Sequence, residues 1–167
     1  MLVSQALASY RKAGIFSSEM ERELAEILPR LTRPVNRFRP VLVHGDFNED
    51  HVIVRRIAGR WRVVGVIDFG DVELGDPAYE WLPLWFGLMR RDPAFLRAFM
   101  RRYEPGMRLT AKWRDRTAAF ILAHRFGPPT VIGMMKEQEV QGSHRTWGEL
   151  RDWLWPPLAE RGSGSRR

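Results

Sequence analysis

The sequence predicts an α+β fold, mostly helical, built around one small β-hairpin. Two β-branched runs, His51–Arg56 and Trp61–Ile67, flank the short segment Ile57-Ala58-Gly59-Arg60, which is the pattern of two strands joined by a tight turn. On either side of them, apolar residues recur at helical spacing. Several of these periodic stretches open on a capping residue or a proline. At 167 residues, 44% apolar and 28% charged, the chain has room for one domain with a core, and its composition excludes disorder throughout. It has no cysteine, which excludes disulfides, cysteine-ligated metal sites and thiol nucleophiles.

In order along the chain, residues 1–40 are expected to form a leading helix and a connector. Ser18-Glu19-Met20-Glu21 has the form of a capping box, and Met20, Leu24, Ile27 and Leu28 follow at helical spacing, so a helix over 18–28 is predicted. Pro29, Pro34 and Pro40 then read as breaks in an extended, arginine-rich connector. Val41-Leu42-Val43 reads as a short buried strand and the hairpin follows it, with Arg55, Arg56, Arg60 and Arg62 near its solvated tip. Asp76-Pro77 supplies a cap and a proline for a helix over 78–89 that is apolar on nearly every face and is therefore expected at the centre, with Trp81, Trp85 and Phe86 in its core stripe. Helices are predicted over 93–103, 110–126 and 147–155, with a loop at Gly127-Pro128-Pro129. A polar Gly/Ser-rich tail is expected over 161–167. His124 and His144 are read as packing or surface residues, and the pairs Arg90-Arg91 and Arg101-Arg102 as solvated helix ends.

The formal net charge is +7, but it is unevenly placed. Through Asp76 there are 11 basic and 11 acidic residues, so all of the excess lies downstream. Between Leu42 and Asp76 stand seven carboxylates: Asp46, Glu49, Asp50, Asp68, Asp71, Glu73 and Asp76. An acidic centre thus sits inside a basic chain. No apolar stretch approaches the length of a bilayer span and the N-terminus lacks a signal-peptide core, so a cytoplasmic protein with no membrane partner is expected. No nucleic-acid reader motif accompanies the arginine pairs, so nucleic acid is not an expected partner either.

The acidic centre has an ordered pattern. His44-Gly45-Asp46 directly follows a strand, and Ile67-Asp68-Phe69-Gly70 ends the second strand of the hairpin. A hairpin brings its flanks together, so Asp46, His51 and Asp68 can converge although the two aspartates are 22 positions apart. The spacing fits the protein-kinase pattern of a catalytic Asp, a metal-binding residue five positions later, and then Asp-Phe-Gly. The three blocks Leu42–Val54 (with His44-Gly45-Asp46 and His51), Val66–Asp71 and Leu74–Glu80 resemble the aminoglycoside phosphotransferase and choline kinase-like family of small-molecule kinases.

That resemblance implies a protein-kinase-like C-lobe over 41–160, with a catalytic loop at 44–51, a metal loop at 67–71 and a helical subdomain at 77–156. It implies Asp46 as the catalytic aspartate that receives or orients the acceptor hydroxyl, His44 as the brace of the catalytic loop, and Asp68 as the main Mg²⁺ ligand. It implies Asp76 as the cap of the following helix, and Asn48 falls where a phosphate contact is placed. His51 stands where the family carries a metal-binding Asn, and imidazole is a softer ligand than Mg²⁺ prefers. The implied cofactors are Mg²⁺ and ATP or GTP, and the implied partner is a small molecule bearing a hydroxyl. Only 43 residues precede His44 and they hold one glycine, Gly14, and one lysine, Lys12, so no N-lobe with a phosphate loop and a strand lysine is expected in this chain. Three functions follow: a phosphotransferase C-lobe completed by an N-lobe; a catalytically silent fragment whose exposed inter-lobe face binds a separate N-lobe or self-associates; or a metal-dependent phosphohydrolase using His44, Asp46, His51 and Asp68 as ligands.

Overall fold

A computed structural model describes residues 3–33 and 39–156, so the part of the connector at 34–38 and the tail expected over 161–167 lie outside the described residues. Among those described, the fold is mostly helical α+β with two small two-stranded sheets. The chain opens with α1 (Val3–Ala13), which the sequence reading passed over, although Ala6 and Tyr10 form its buried stripe and Gly14 follows it at φ 62°. Tyr10 is fully buried and its hydroxyl donates to the Leu122 carbonyl at 3.1 Å, pinning α1 to the middle of the molecule.

Helix α2 (Ser18–Leu31) is capped by Ser17, whose side chain accepts from Met20 N, one residue before the expected cap. It runs through Pro29 rather than ending at Leu28. Proline removes a single backbone donor near the end of the helix, and the buried stripe Met20, Leu24 and Leu28 holds the last turn in place. Strand β1 (Val41–Val43) pairs antiparallel with β4 (Glu73–Gly75), a strand the sequence did not announce. Only Val43 of β1 is buried, so the expected buried strand is corrected to a ribbon that exposes Val41 and Leu42.

The predicted hairpin is present as β2 (Val52–Ile57) and β3 (Arg60–Val66), with an irregularity in register between Ile53 and Val54. Its two turn residues, Ala58 and Gly59, both have positive φ (47° and 77°), the conformation that matches strand twist in a two-residue hairpin. The four arginines near the tip are exposed.

The central apolar run is buried but is not one α-helix. A 3₁₀ turn (Pro77–Glu80) leads into a π-helical segment (Pro83–Leu88), closed by Met89 N donating to Leu84 O at 2.8 Å and Arg91 N to Trp85 O at 2.8 Å. Pro83 has no N–H to continue a tighter ladder, and the wider coil sets Gly87 against the loop that follows β1. Trp81 and Trp85 do lie in the core; Trp85 stacks on Trp155 with centroids 4.8 Å apart and donates from its indole to the Leu154 carbonyl.

Helices α3 (Pro93–Tyr103), α4 (Ala111–Ala123), α5 (Gly127–Glu137) and α6 (Trp147–Leu154) complete the fold. Helix α4 ends three residues short of the expected Phe126, and the Gly-Pro-Pro expected as a loop instead begins α5. Proline at the first helical positions costs no hydrogen bond, so the same residues that end one helix open the next. Arg101 and Arg102 are exposed as expected, whereas Arg91 is half-buried between the rings of Phe86 and Trp153. No helix among the described residues is long and apolar enough to cross a membrane.

Candidate active site

The loop after β1 is held from below. Glu80, in the 3₁₀ turn, accepts from the backbone N–H of His44 at 2.6 Å and of Gly45 at 3.3 Å through one carboxylate oxygen. Gly45 has φ 80°, and a Cβ there would lie 2.8 Å from the Asp71 carbonyl, so glycine alone fits between the loop after β1 and the turn at Phe69–Asp71. The His44 ring is buried; its Nε2 donates to the Ile67 carbonyl at 2.9 Å and its face packs 4.8 Å from the Phe69 ring. His44 therefore ties the start of one loop to the residue immediately before Asp68.

Asp46 points away from this brace. Its Oδ1 accepts from the Asn48 amide at 2.9 Å, and Asn48 Oδ1 in turn accepts from Asp50 N, opening a 3₁₀ turn (Glu49–His51). That turn brings the His51 ring back over Asp46. A carbonyl can only accept, so His51 Nδ1 carries the hydrogen in its 2.6 Å bond to the Asp46 carbonyl, while the Asp46 carboxylate stands 3.8 Å from the same nitrogen. The opposite ring nitrogen, Nε2, lies 3.3 Å from Asp68 Oδ2. The bond to the Asp46 carbonyl, followed by the charges of Asp46 and Asp68, raises the His51 pKa above its ordinary value against the opposing effect of burial.

Asp68 stands in the left-handed region (φ 62°, ψ 59°), which asparagine and aspartate tolerate better than most residues, and its side chain is 62% exposed. All five residues singled out from the sequence thus stand together: Asp46, His51 and Asp68 form one row, Asn48 braces Asp46, and His44 braces the loop. The four-residue ligand cluster that the phosphohydrolase reading requires is not assembled among the described residues, because His44 turns its Nε2 to Ile67.

The rim of the acidic centre shows where part of the basic excess goes. Arg90 forks onto Glu49 (2.7 and 3.1 Å), Arg125 pairs with Asp71, and Arg116 pairs with Asp76 while also donating to the carbonyls of Leu31 and Arg33. Asp76 caps the 3₁₀ turn by accepting from Ala78 N, as expected. The carboxylates of Asp46 and Asp68 have no arginine partner among the described residues and share the His51 ring. Sequence reasoning missed the roles of Glu80, Arg90, Arg116 and Arg125, whereas His124, read as a packing or surface residue, is a packing residue. Glu80 stood inside a recognised block, but its role became visible only when β1 and the central segment were brought together.

His124 is fully buried at the α4–α5 corner, its ring 4.0 Å from Tyr79, with Nδ1 accepting from Phe126 N at 3.1 Å. Burial lowers its pKa to about 3, so it is a neutral wedge under the site rather than a proton carrier.

Chemically, the row offers a carboxylate with one oxygen tethered and the other free to take a proton, and an exposed carboxylate suited to a hard cation. No curated protein matches the chain. The model of the phosphotransferase enzyme family matches residues 2–115, from α1 through the carboxylate row to the first turns of α4, and the chain belongs to that family.

Proposed function

We propose that the chain is the C-terminal lobe of a small-molecule kinase, acting in the cytoplasm, that transfers the γ-phosphoryl group of ATP or GTP to a hydroxyl. The observation that carries this reading is the delivery of Asp46 and Asp68 to opposite edges of one imidazole from two separate loops. The acceptor oxygen attacks the γ-phosphorus, the bond to the β–γ bridging oxygen breaks, the nucleoside diphosphate leaves, and the hydroxyl proton passes to the untethered Asp46 oxygen. Asn48 keeps Asp46 in one rotamer throughout by one amide N–H, and its second N–H is left for a phosphate oxygen. Asp68, exposed and rich in acceptor capacity, fits Mg²⁺, which takes few protein ligands when phosphate oxygens supply the rest. When bound, that ion neutralises charge developing on the phosphates. The His51 lone pair at Nε2 faces the same space.

A further lobe that covers the nucleotide seats against the face that carries these loops. Support for this comes from apolar residues left exposed on that face and on the hairpin, Leu42 of β1, Phe69 after Asp68 and Leu74 of β4, with Trp61 and Val63 along β3. The acceptor is a neutral or anionic alcohol rather than a polycation, because Glu49, Asp71 and Asp76 are already paired with arginines.

Calorimetry of the chain with Mg·ATP, repeated with Asp68→Asn, tests the reading. Saturable heat that depends on Mg²⁺ and is lost in the variant supports it. Nucleotide binding unaffected by Asp68→Asn overturns the assignment of the metal ligand.

A further inference from the structure

The hairpin of β2 and β3 stands away from the rest of the molecule. Neither strand packs appreciably against another element among the described residues, and every residue from Ile53 to Val64 is exposed. Its register separates two faces, because side chains alternate along a strand and paired residues share a side. Arg55 lies directly opposite Arg62 and Ile57 opposite Arg60, which puts three arginines on one face. On the other face Val54 lies opposite Val63 and Arg56 opposite Trp61. The tip beyond these pairs is the two-residue turn Ala58-Gly59, so Ile57 and Trp61 are the apolar side chains nearest to it, with arginines around them.

Neither kind of side chain is satisfied within the chain. Like charges placed directly across a strand pair are unfavourable. Yet Arg55, Arg60 and Arg62 have no carboxylate partner among the described residues, and Arg56 reaches only the Gly59 carbonyl of its own turn at 3.4 Å. Arg90, Arg116 and Arg125, by contrast, are all paired. Trp61 is 71% exposed, and Ile57 is exposed as well. Arginine on an open edge also discourages pairing with other chains, but an exposed tryptophan on the same strand works against that use. A partner that satisfies both must present anions beside an apolar layer. The surface of a bilayer holding anionic phospholipids does so, with phosphates for the guanidinium groups and a headgroup boundary that suits an indole. Nucleic acid would take the arginines and leave Ile57 in water.

We infer that the hairpin tip docks on an anionic phospholipid surface, with Ile57 and Trp61 at the headgroup boundary and Arg55, Arg56, Arg60 and Arg62 reaching lipid phosphates. Long arginine side chains can lie along apolar surface while their charged ends stay among the headgroups. No spanning helix is needed, since surface binding draws on buried apolar area and charge instead. The net charge of +7 adds a long-range attraction of the same sign. The carboxylate row sits at the other end of the hairpin, where His51 precedes β2 and Asp68 follows β3, about 20 Å along the strands from Ile57. Docking at the tip therefore holds the row near the membrane without covering it, and it is independent of phosphate transfer there. A lobe seated on the loops approaches the hairpin from that root, and Trp61, two positions past the turn, is the last apolar residue of β3 that it reaches.

The test is cosedimentation of the whole chain with vesicles of phosphatidylglycerol and phosphatidylcholine, and in parallel with phosphatidylcholine alone, at an ionic strength of about 0.15 M. The expected result is binding to the anionic vesicles that is about tenfold tighter or more, weakens as salt is raised, and moves tryptophan emission to the blue in the native chain but not in Trp61→Phe. The double variant Arg55→Gln/Arg62→Gln should weaken binding by about thirtyfold, and Trp61→Ser should weaken it too. Both variants should keep the native melting curve, since all three positions are exposed. Should the double variant not fold, Arg60→Glu carries the same expectation. No binding to anionic vesicles, equal binding to neutral ones, or unchanged binding in the arginine variant overturns the inference. So does duplex DNA that strips the chain from vesicles while Trp61→Ser leaves vesicle binding unchanged, a result that assigns the arginines to nucleic acid.

Discussion

His51 and Asp68 meet edge on, with Nε2 3.3 Å from the Asp68 carboxylate, while the other side of the same ring is fastened to the Asp46 backbone at 2.6 Å. One imidazole therefore sets the spacing between two loops that the hairpin keeps apart in sequence. In the unprotonated ring the Nε2 lone pair faces Asp68; in the protonated ring both edges donate, to Asp46 on one side and Asp68 on the other.

His51 should accordingly titrate above 6.5 when followed by NMR, because the Asp46 carbonyl and the neighbouring carboxylates favour the charged ring. In Asp68→Asn the value should fall part of the way and remain raised, since the bond to the Asp46 carbonyl is the largest cause. A raised folded pKa means that protonation adds stability that is complete below the unfolded value near 6.5 and lost as pH rises through the folded one. The stability difference between the native chain and His51→Asn should therefore shrink over that window in denaturation measured at several pH values.

His124 has the opposite sign. The folded chain holds it neutral, with a pKa of about 3 against 6.5 in the open chain, so its contribution is complete above 6.5 and declines as pH falls toward 3. By pH 5 the loss should approach about 2 kcal/mol. Urea melts of His124→Gln should show a flatter acid slope than the native chain, even with a lower starting stability.

Glu80→Ala removes the acceptor for two buried backbone N–H groups and should cost about 3 kcal/mol in chemical denaturation. Glu80→Gln keeps one acceptor oxygen and should cost about 1 kcal/mol. Equal losses in the two variants would mean that charge, not hydrogen bonding, anchors the loop.

Asn48→Ala frees Asp46 Oδ1 and should lower the rate of phosphoryl transfer by about tenfold with little change in substrate affinity, as expected when a reacting group loses its orientation. Asp46→Asn, which removes the proton acceptor itself, should lower it by about 10²–10⁴. Gly87→Ala brings a methyl to 2.7 Å from Asn48 Cβ and should cost about 1–3 kcal/mol, displacing the same loop from the other side. Single-turnover kinetics with the covering lobe supplied, together with thermal melts, separate these three effects.

Much of this molecule was legible in the residues because the relevant signals are local. The alternation and turn chemistry of 52–66 announce a hairpin, the helical stretches read over 110–126 and 147–155 match α4 and α6 to within three residues, and the three ordered blocks around Asp46, Asp68 and Asp76 carry the family resemblance. The helix-start chemistry of Pro128 and Pro129 was equally local but reads two ways. A proline after an apolar helix is both an end signal and a beginning signal, and only the buried Val131 and Met135 of α5 decide between them.

The sequence by itself determined the α+β class, the carboxylate pair, the family and the uneven charge, because each depends on residue type and short spacing. Tertiary structure alone decided the rest. It made β4 a strand by giving β1 a partner, and it widened the central run into a π-helical segment around the close approach of Gly87 to Asn48. It also converted part of the basic excess into arginine partners for Glu49, Asp71 and Asp76. Those outcomes rest on contacts between segments tens of residues apart, where burial and charge pairing outweigh the local preferences that a sequence displays.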